Sequence, residues 1–240
     1  MQTKINGATL TNIGRKRTKN EDAAYFNSCE DFTLLMIADG IGGHKKGEVA
    51  SDMTISIVSN KISNFEKAFK LTTSRRLIKN AIKYANKEVN NLSVKQEYLD
   101  MGTTLVLALV LKEKTIIANI GDSRLYRFDK EFGLTQLTVD QNYVQYMIQI
   151  GKMTKEEAKN SNKKNVLLNA LGVNPSVYYN YDALLLCSDG LYNMVSLEEL
   201  NKIMYLNISV EEKVKKLIDT ANRNGGFDNI GVSLMEVKQC

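Results

Sequence analysis

The stretch FTLLMIADGIGGHKKGEVAS, residues 32–51, begins as a run of apolar side chains and stops at Asp39-Gly40. It then passes through two more glycines and the chain's single histidine into a helical pattern. The first seven residues read as a short buried strand, and Val49, Ala50, Met53, Ile57 and Ile62 fall at helical spacing. One Asp-Gly at a strand end is ordinary turn chemistry. Two further apolar strands end alike, TIIANIGDS at 115–123 and ALLLCSDG at 183–190. Each of the three delivers an aspartate (Asp39, Asp122, Asp189) beside a glycine where the strand surfaces.

Outward from these ends, strands are expected over 5–12 and 23–28. A second helix carries Leu77, Ile78, Ala81, Ile82, Ala85 and Val89 on one face, with Ser74 placed to cap it. Three strands follow in quick succession, TTLVLALVL, TIIANI and RLYRF, with Lys112-Glu113-Lys114 turning between the first two. Thr154 with Glu157, Ser196 with Glu199 and Ser209 with Glu212 are capping-box spacings that mark three helix starts. ALLLC at 183–187 and IGVSLMEV at 230–237 are strands, and Gly225-Gly226 stops the helix before the last one. Helices and strands come in blocks and do not alternate, which predicts an α+β layered domain and not a doubly wound parallel sheet. With no internal repeat, no low-complexity linker and one proline, Pro175, residues 1–240 read as a single domain.

The composition is that of an ordinary soluble protein: 240 residues, 43% hydrophobic and 25% charged. A net charge of +5 is a mild excess, concentrated nowhere enough to suggest nucleic-acid binding. Cys29, Cys187 and Cys240 lie far apart and form no CxxC, which argues for a reducing compartment and against a structural zinc. MQTKINGATLTNIGRKR lacks the apolar core of a signal peptide. The longest apolar run, LVLALVL at 105–111, falls far short of the roughly 20 residues that span a bilayer. These features predict a cytoplasmic protein without a membrane segment.

Two more acidic sites sit in polar turns beside strands, Glu21-Asp22 and Asp228. Any one Asp-Gly is better explained as a turn, but three repeats change the balance. A glycine beside a carboxylate exposes the backbone carbonyl and allows the close approach that an oxygen-liganded cation needs. If the strand ends converge, four or five carboxylates share one pocket, and such a cluster cannot stay fully ionised without a cation. An all-oxygen donor set without His or Cys suits Mg²⁺ or Mn²⁺ better than zinc, so the cluster reads as a two-metal site. Arg17, five residues before Asp22, is a candidate phosphate clamp.

The segments RTKNEDA (17–23), ADGIGGHKKGEVAS (38–51), MGTT (101–104), GDSR (121–124), CSDG (187–190) and FDNIGV (227–232) together resemble the metal-dependent type-2C Ser/Thr protein phosphatases, the PPM family, in its compact bacterial form. The motifs stand in the family's order from near residue 10 to the last strand. The resemblance implies a four-layer α-β-β-α sandwich, two antiparallel sheets flanked by pairs of helices, with a flap at about 140–170. It implies that Asp39 bridges two Mn²⁺ or Mg²⁺ ions with the Gly40 carbonyl in the coordination, and that Asp189 and Asp228 hold the first ion. Glu21 or Asp22 would serve the second, and Asp122 matches the ligand of a third, looser ion. Arg17 matches the phosphate-binding arginine. The reaction implied is hydrolysis of phosphoserine and phosphothreonine by a metal-bridged water, in a monomer that acts on phosphorylated proteins and opposes a Ser/Thr kinase in bacterial signalling.

Three departures from the family pattern bear on these expectations. Ile41 stands where animal members carry their acidic histidine; His44, three residues on, either donates the leaving-group proton or caps the next helix. Asn193 replaces a frequent acidic residue and, being outside the ligand set, is expected to matter little. Asn-Ser-Asn-Lys-Lys at 160–164 replaces a common His-Pro-Arg-Arg, keeping positive charge at Lys163 and Lys164 without the stiff proline. Two rivals remain. A pseudophosphatase would have lost ligands, and here every position is filled. A nuclease or nucleotide hydrolase needs basic residues interleaved with aromatics, which the sequence lacks.

Overall fold

The computed structural model describes residues 3–41, 46–65, 69–98, 101–112, 114–159, 161 and 182–239. His44, Lys163, Lys164, Pro175 and Cys240, and with them the expectations placed on 42–45 and 162–181, lie outside the described residues.

Two antiparallel five-stranded sheets carry the fold. The first contains β1 (Thr3–Asn12), β7 (Arg124–Asp129), β8 (Gly133–Gln136), β9 (Ala183–Cys187) and β10 (Ile230–Gln239), in the order β1-β10-β9-β7-β8. The second runs β2 (Asp22–Ser28), β3 (Thr33–Ile41), β5 (Leu105–Val110), β6 (Thr115–Ile120), with the two-residue β4 (Gly102–Thr103) paired to the end of β3. Strand β3 is apolar from Leu34 to Ala38 because both of its faces are covered there. Leu35 and Ile37 point to the other sheet, where they meet Leu125, Leu184, Leu186 and Met235. Leu34, Met36 and Ala38 point the opposite way, against Val58 and Ile62 of α1 (Gly47–Ser63) and Ile78, Ala81 and Ile82 of α2 (Leu71–Ser93). The period-2 alternation of a strand thus assigns successive residues to two different cores.

The outer face of the first sheet is covered in the same way. Leu185, Cys187, Val232 and Leu234 pack on Leu200 and Ile203 of α6 (Leu197–Met204) and on Val214, Leu217 and Ile218 of α7 (Val210–Arg223). The four-layer sandwich expected from the sequence is the architecture formed. Three short helices complete the described elements, α3 (Tyr143–Gln149), α4 (Lys155–Lys159) and α5 (Asp189–Tyr192), the first two within the span expected for the flap. No helix among the described residues is long and apolar enough to cross a membrane.

Local readings fare unevenly. All three capping boxes form; in the last, Ser209 Oγ accepts the Glu212 N–H at 3.2 Å and Glu212 Oε2 accepts the Ser209 N–H at 2.9 Å. Replacing Ser209 by Ala should therefore cost about 1 kcal/mol. At about 2–4 °C per kcal/mol for a chain of this size, a thermal melt should show Tm lower by that much. Ser74, in contrast, caps nothing. The helix begins one turn earlier, where Thr73 Oγ1 accepts the Lys70 N–H at 3.2 Å, and Ser74 is a fully buried position inside α2. The strand β8 and the helix α5 have too few residues to show a period, and the sequence did not announce them. The three middle strands divide between the sheets. β5 and β6 pair as a hairpin, but at Gly121 (φ 94°) the chain leaves their sheet and β7 joins the other.

Candidate metal centre

Sheet register decides which carboxylates meet. β2 and β3 pair so that Asp22 stands directly opposite Asp39. β3 does not end at Asp39 but continues through Ile41, so Asp39 is held by its backbone within the sheet: its N–H donates to Thr104 Oγ1 (3.0 Å), and its carbonyl accepts from Thr103 Oγ1 (3.0 Å) and the Thr104 N–H (2.9 Å). Thr104 Oγ1 in turn lies 2.7 Å from Ser123 Oγ, which ties the β3 end to the turn that carries Asp122. Asp189 opens α5, directly after β9. Asp228 precedes β10, and Arg17 Nη2 donates to its Oδ2 at 2.8 Å.

The glycines have a steric reason at two of these ends. A Cβ on Gly40 would stand 2.5 Å from the Gly47 backbone and 2.7 Å from the Glu21 carbonyl; one on Gly190 would stand 1.9 Å from the Asn229 carbonyl. Glycine lets three chain segments close on the carboxylates, a requirement stronger than the turn formation that suggested it.

The electrostatics follow from burial and crowding. Asp39 is pushed well above the usual carboxylate range, first by burial and then by Asp22, Asp189, Asp122 and Asp228. Burial likewise raises Asp22, although a hydrogen bond from Ser188 Oγ (2.7 Å) opposes the shift, and it raises Asp189, where Asp228 and Asp122 add to it. Asp122 rises to about 6, through burial and the nearby Asp140. The Oδ1 atom of Asp22 is buried without a geometric hydrogen-bond donor, beside the Asp39 carboxyl. Among the described residues no three acidic, histidine or cysteine side chains close into a single-ion cage. The carboxylates instead form a string of mutually repelling neighbours. A buried carboxylate oxygen without such a donor, several like charges and an all-oxygen donor set fit divalent cations.

Glu21 takes a different place. Its carboxylate accepts from the Gly47 backbone at the start of α1 and is raised by burial and by Glu48, so it belongs to the rim while Asp22 belongs to the cluster. Cys187 is fully buried with its thiol pushed up to about 12 by burial, as suits a core residue and not a nucleophile.

Several residues of the site escaped the sequence reading. Asn229 is buried and accepts the Glu21 N–H (2.9 Å) while donating to the Ile13 (2.9 Å) and Lys19 (2.8 Å) carbonyls, so one amide fixes the whole Arg17 loop. Arg124 forks onto Asp140 (2.7 Å at the shortest) and lies 3.6 Å from the centre of the Tyr192 ring. Asn142 caps α3 by accepting the Gln145 N–H (3.0 Å) and also hydrogen-bonds Asp122, joining the start of the flap span to the cluster. Asn193, which the resemblance places outside the ligand set, donates from its Nδ2 to Asp189 Oδ2 at 3.1 Å. The DN of FDNIGV and the Arg of GDSR signalled two of these residues; Asn142 and Asn193 are common polar residues that stand in none of the motifs.

A model of the protein phosphatase 2C family matches residues 13–229. The chain belongs to that family. The serine/threonine phosphatase stp of Listeria monocytogenes serotype 4b is 38% identical to it over 239 residues, covering 94% of this chain and 93% of that protein. The protein phosphatase PhpP of Streptococcus pneumoniae is 31% identical over 244 residues, covering 96% of each. Among solved structures, the S. agalactiae serine/threonine phosphatase superposes with a TM-score of 0.90 at 29% identity, over 98% of this chain and 100% of the other. The catalytic domain of serine threonine protein phosphatase PstP in complex with two manganese ions gives 0.82 at 31%, over 99% and 100%. Membership accounts for the order in which the acidic motifs occur, and the sandwich accounts for their convergence.

Proposed function

We propose that this chain hydrolyses phosphoserine and phosphothreonine in proteins, with a pair of Mn²⁺ or Mg²⁺ ions held by Asp39, the Gly40 carbonyl, Asp22, Asp189 and Asp228. The observation that carries the reading is the meeting of Asp22 and Asp39 across one strand pair, with a buried oxygen on Asp22 that lacks a geometric donor, and Asp189 and Asp228 close enough to raise Asp39 further. Cations bound there supply positive charge and a water acidic enough to attack phosphorus at neutral pH. Glu21 supports the same centre from the rim, and Asp122 is the ligand for a third, weaker ion. Residues 1–240 act as one domain with a flap at about 140–170.

The chain's own groups do the rest. Arg17 presents its guanidinium to the substrate phosphate while Asp228 keeps it turned toward the cluster. Asn229 holds the Arg17 loop in place, and Asn193 fixes the orientation of Asp189. His44 takes the role of leaving-group acid in this reading. The manganese pair in PstP and the names of the Listeria and Streptococcus relatives support it. We extend it to a monomer that opposes a Ser/Thr kinase in the cytoplasm, where the free thiols of Cys29 and Cys187 would stay reduced.

The experiment is release of phosphate from a phosphothreonine peptide after EDTA treatment, followed by Mn²⁺ titrated back. Activity that depends on metal is expected; a folded protein inactive at every metal concentration would leave only a scaffold role. In the same assay Arg17→Ala should raise KM about tenfold, the lower end for a charge-assisted hydrogen bond, with kcat changed little. A loss confined to kcat would exclude ground-state phosphate binding by Arg17.

A further inference from the structure

Helix α7 and the turn at Gly14-Arg15 border an open surface recess of about 610 Å³ whose lining shares no residue with the carboxylate cluster. Three cations line it, Arg15, Lys216 and Arg223, against one carboxylate, Asp219. Among the described residues neither Arg15 nor Lys216 is held in an ion pair. Arg223 is steadied on its own helix, its Nη2 donating to Thr220 Oγ1 at 2.9 Å. The turn is fixed as well, since the Arg15 N–H donates to the Gly226 carbonyl at 2.7 Å. The recess is therefore net cationic, and Arg15, Lys216 and Arg223 are all exposed to solvent.

Its location gives it a purpose. Gly14, at φ 77°, packs so closely on Asp228 that a Cβ there would stand 2.2 Å from the Asp228 carbonyl, and Asp228 is the residue that holds Arg17. The recess and the candidate phosphate clamp thus share a wall. Arg15 and Arg17 are two residues apart, at most about 7 Å along an extended chain. Phe227, 58% exposed, stands between Gly226 of the turn contact and Asp228 of the clamp, an apolar step from one to the other.

We propose that this recess is a docking subsite for acidic side chains two to four residues from the phosphorylated serine or threonine of the protein substrate. The inference rests on the phosphatase reading and adds a sequence preference to it. A polyanionic nucleic acid fits less well, because Asp219 opposes the cations and a single aromatic offers no stacking series. Exposed ion pairs contribute little each and are screened by salt, so the subsite confers preference and not an absolute requirement.

The test compares the full chain with Mn²⁺ on matched phosphothreonine peptides carrying Asp or Asn two to four positions from the phosphoresidue, on either side, and on p-nitrophenyl phosphate. The acidic peptide should be favoured about threefold to tenfold in kcat/KM at low ionic strength, and less at high salt. Lys216→Glu, alone and with Arg15→Glu, should erase or invert that preference while the aryl phosphate rate stays as in wild type. Equal rates for both peptides, or a preference that survives the charge reversal, would overturn the subsite while sparing the phosphatase reading. No turnover of any substrate by the wild type would overturn both. Tight binding of a single-stranded oligonucleotide that depends on Lys216, without a peptide preference, would reassign the recess to nucleic acid.

Discussion

Asp39→Ala should lose phosphatase activity on the order of a thousandfold or more while remaining folded. The size follows from the position. Asp39 feels all four of Asp22, Asp189, Asp122 and Asp228, so it sits among every other member of the cluster. Removing one preorganised charged or hydrogen-bonding group from a reacting centre already costs about 10²–10³, and here the group lost would be shared by both cations. Survival of the fold follows from how the residue is held. Its hydrogen bonds to Thr103 and Thr104 are all made by its backbone, so truncating the side chain leaves β3 paired and anchored. Truncation also removes one of several repelling charges, so the metal-free variant should melt at or above the wild-type temperature at neutral pH. Steady-state kinetics with Mn²⁺ and a thermal melt without it read the two halves separately. Turnover near the wild-type rate would end the assignment of Asp39 as the bridging ligand.

The features visible in the sequence were those whose cause is local. The apolar runs of β3, β5 and β9 announced themselves because burial on both faces leaves no polar position to interrupt them. The capping boxes at Ser196 and Ser209 were legible because donor and acceptor lie three residues apart. Asp39, Asp122 and Asp189 were legible as a repeated pattern, which a single turn would not produce. What stayed hidden depends on pairings that sequence spacing does not encode. The crossing of β7 into the other sheet is settled by the partners β9 and β8, and not by RLYRF itself. Asn229 contacts a loop 208 residues or more away, and nothing local distinguishes it from a turn asparagine. Ser74 shows the converse failure, a good cap residue overridden because Ile78, Ala81 and Ile82 pull its turn of the helix into the core.

The second large effect concerns stability, and its sign comes from the raised carboxylates. In the metal-free protein Asp22 and Asp189 rise from 3.8 to about 7 and Asp122 to about 6, chiefly through burial. Between those values the folded chain holds protons that the unfolded chain has released, so stability falls as pH increases. The contribution is fully present below about 3.8 and lost by the time pH passes about 7. These carboxylates interact, so the loss spreads over the window as the titration of a set and not as three separate steps. A divalent cation reverses the penalty by binding the ionised form, and it does so only where protons no longer compete for the oxygens. At pH 8, Mn²⁺ at about a hundredfold over its Kd should add about 2.7 kcal/mol. At about 2–4 °C per kcal/mol that is a rise in Tm of roughly 5–10 °C. At pH 5 the same concentration should add little. Glu199 and Glu212, lowered by their capping hydrogen bonds, act in the opposite sense, but their stability is lost only as pH falls below about 4.5, outside this comparison. Thermal melts at pH 5 and 8, with EDTA and with Mn²⁺, therefore decide the matter. Equal gains at the two pH values would mean that the cation binds away from the buried aspartates, and a metal-free Tm that climbs from pH 5 to 8 would mean that these groups are not held protonated by the fold.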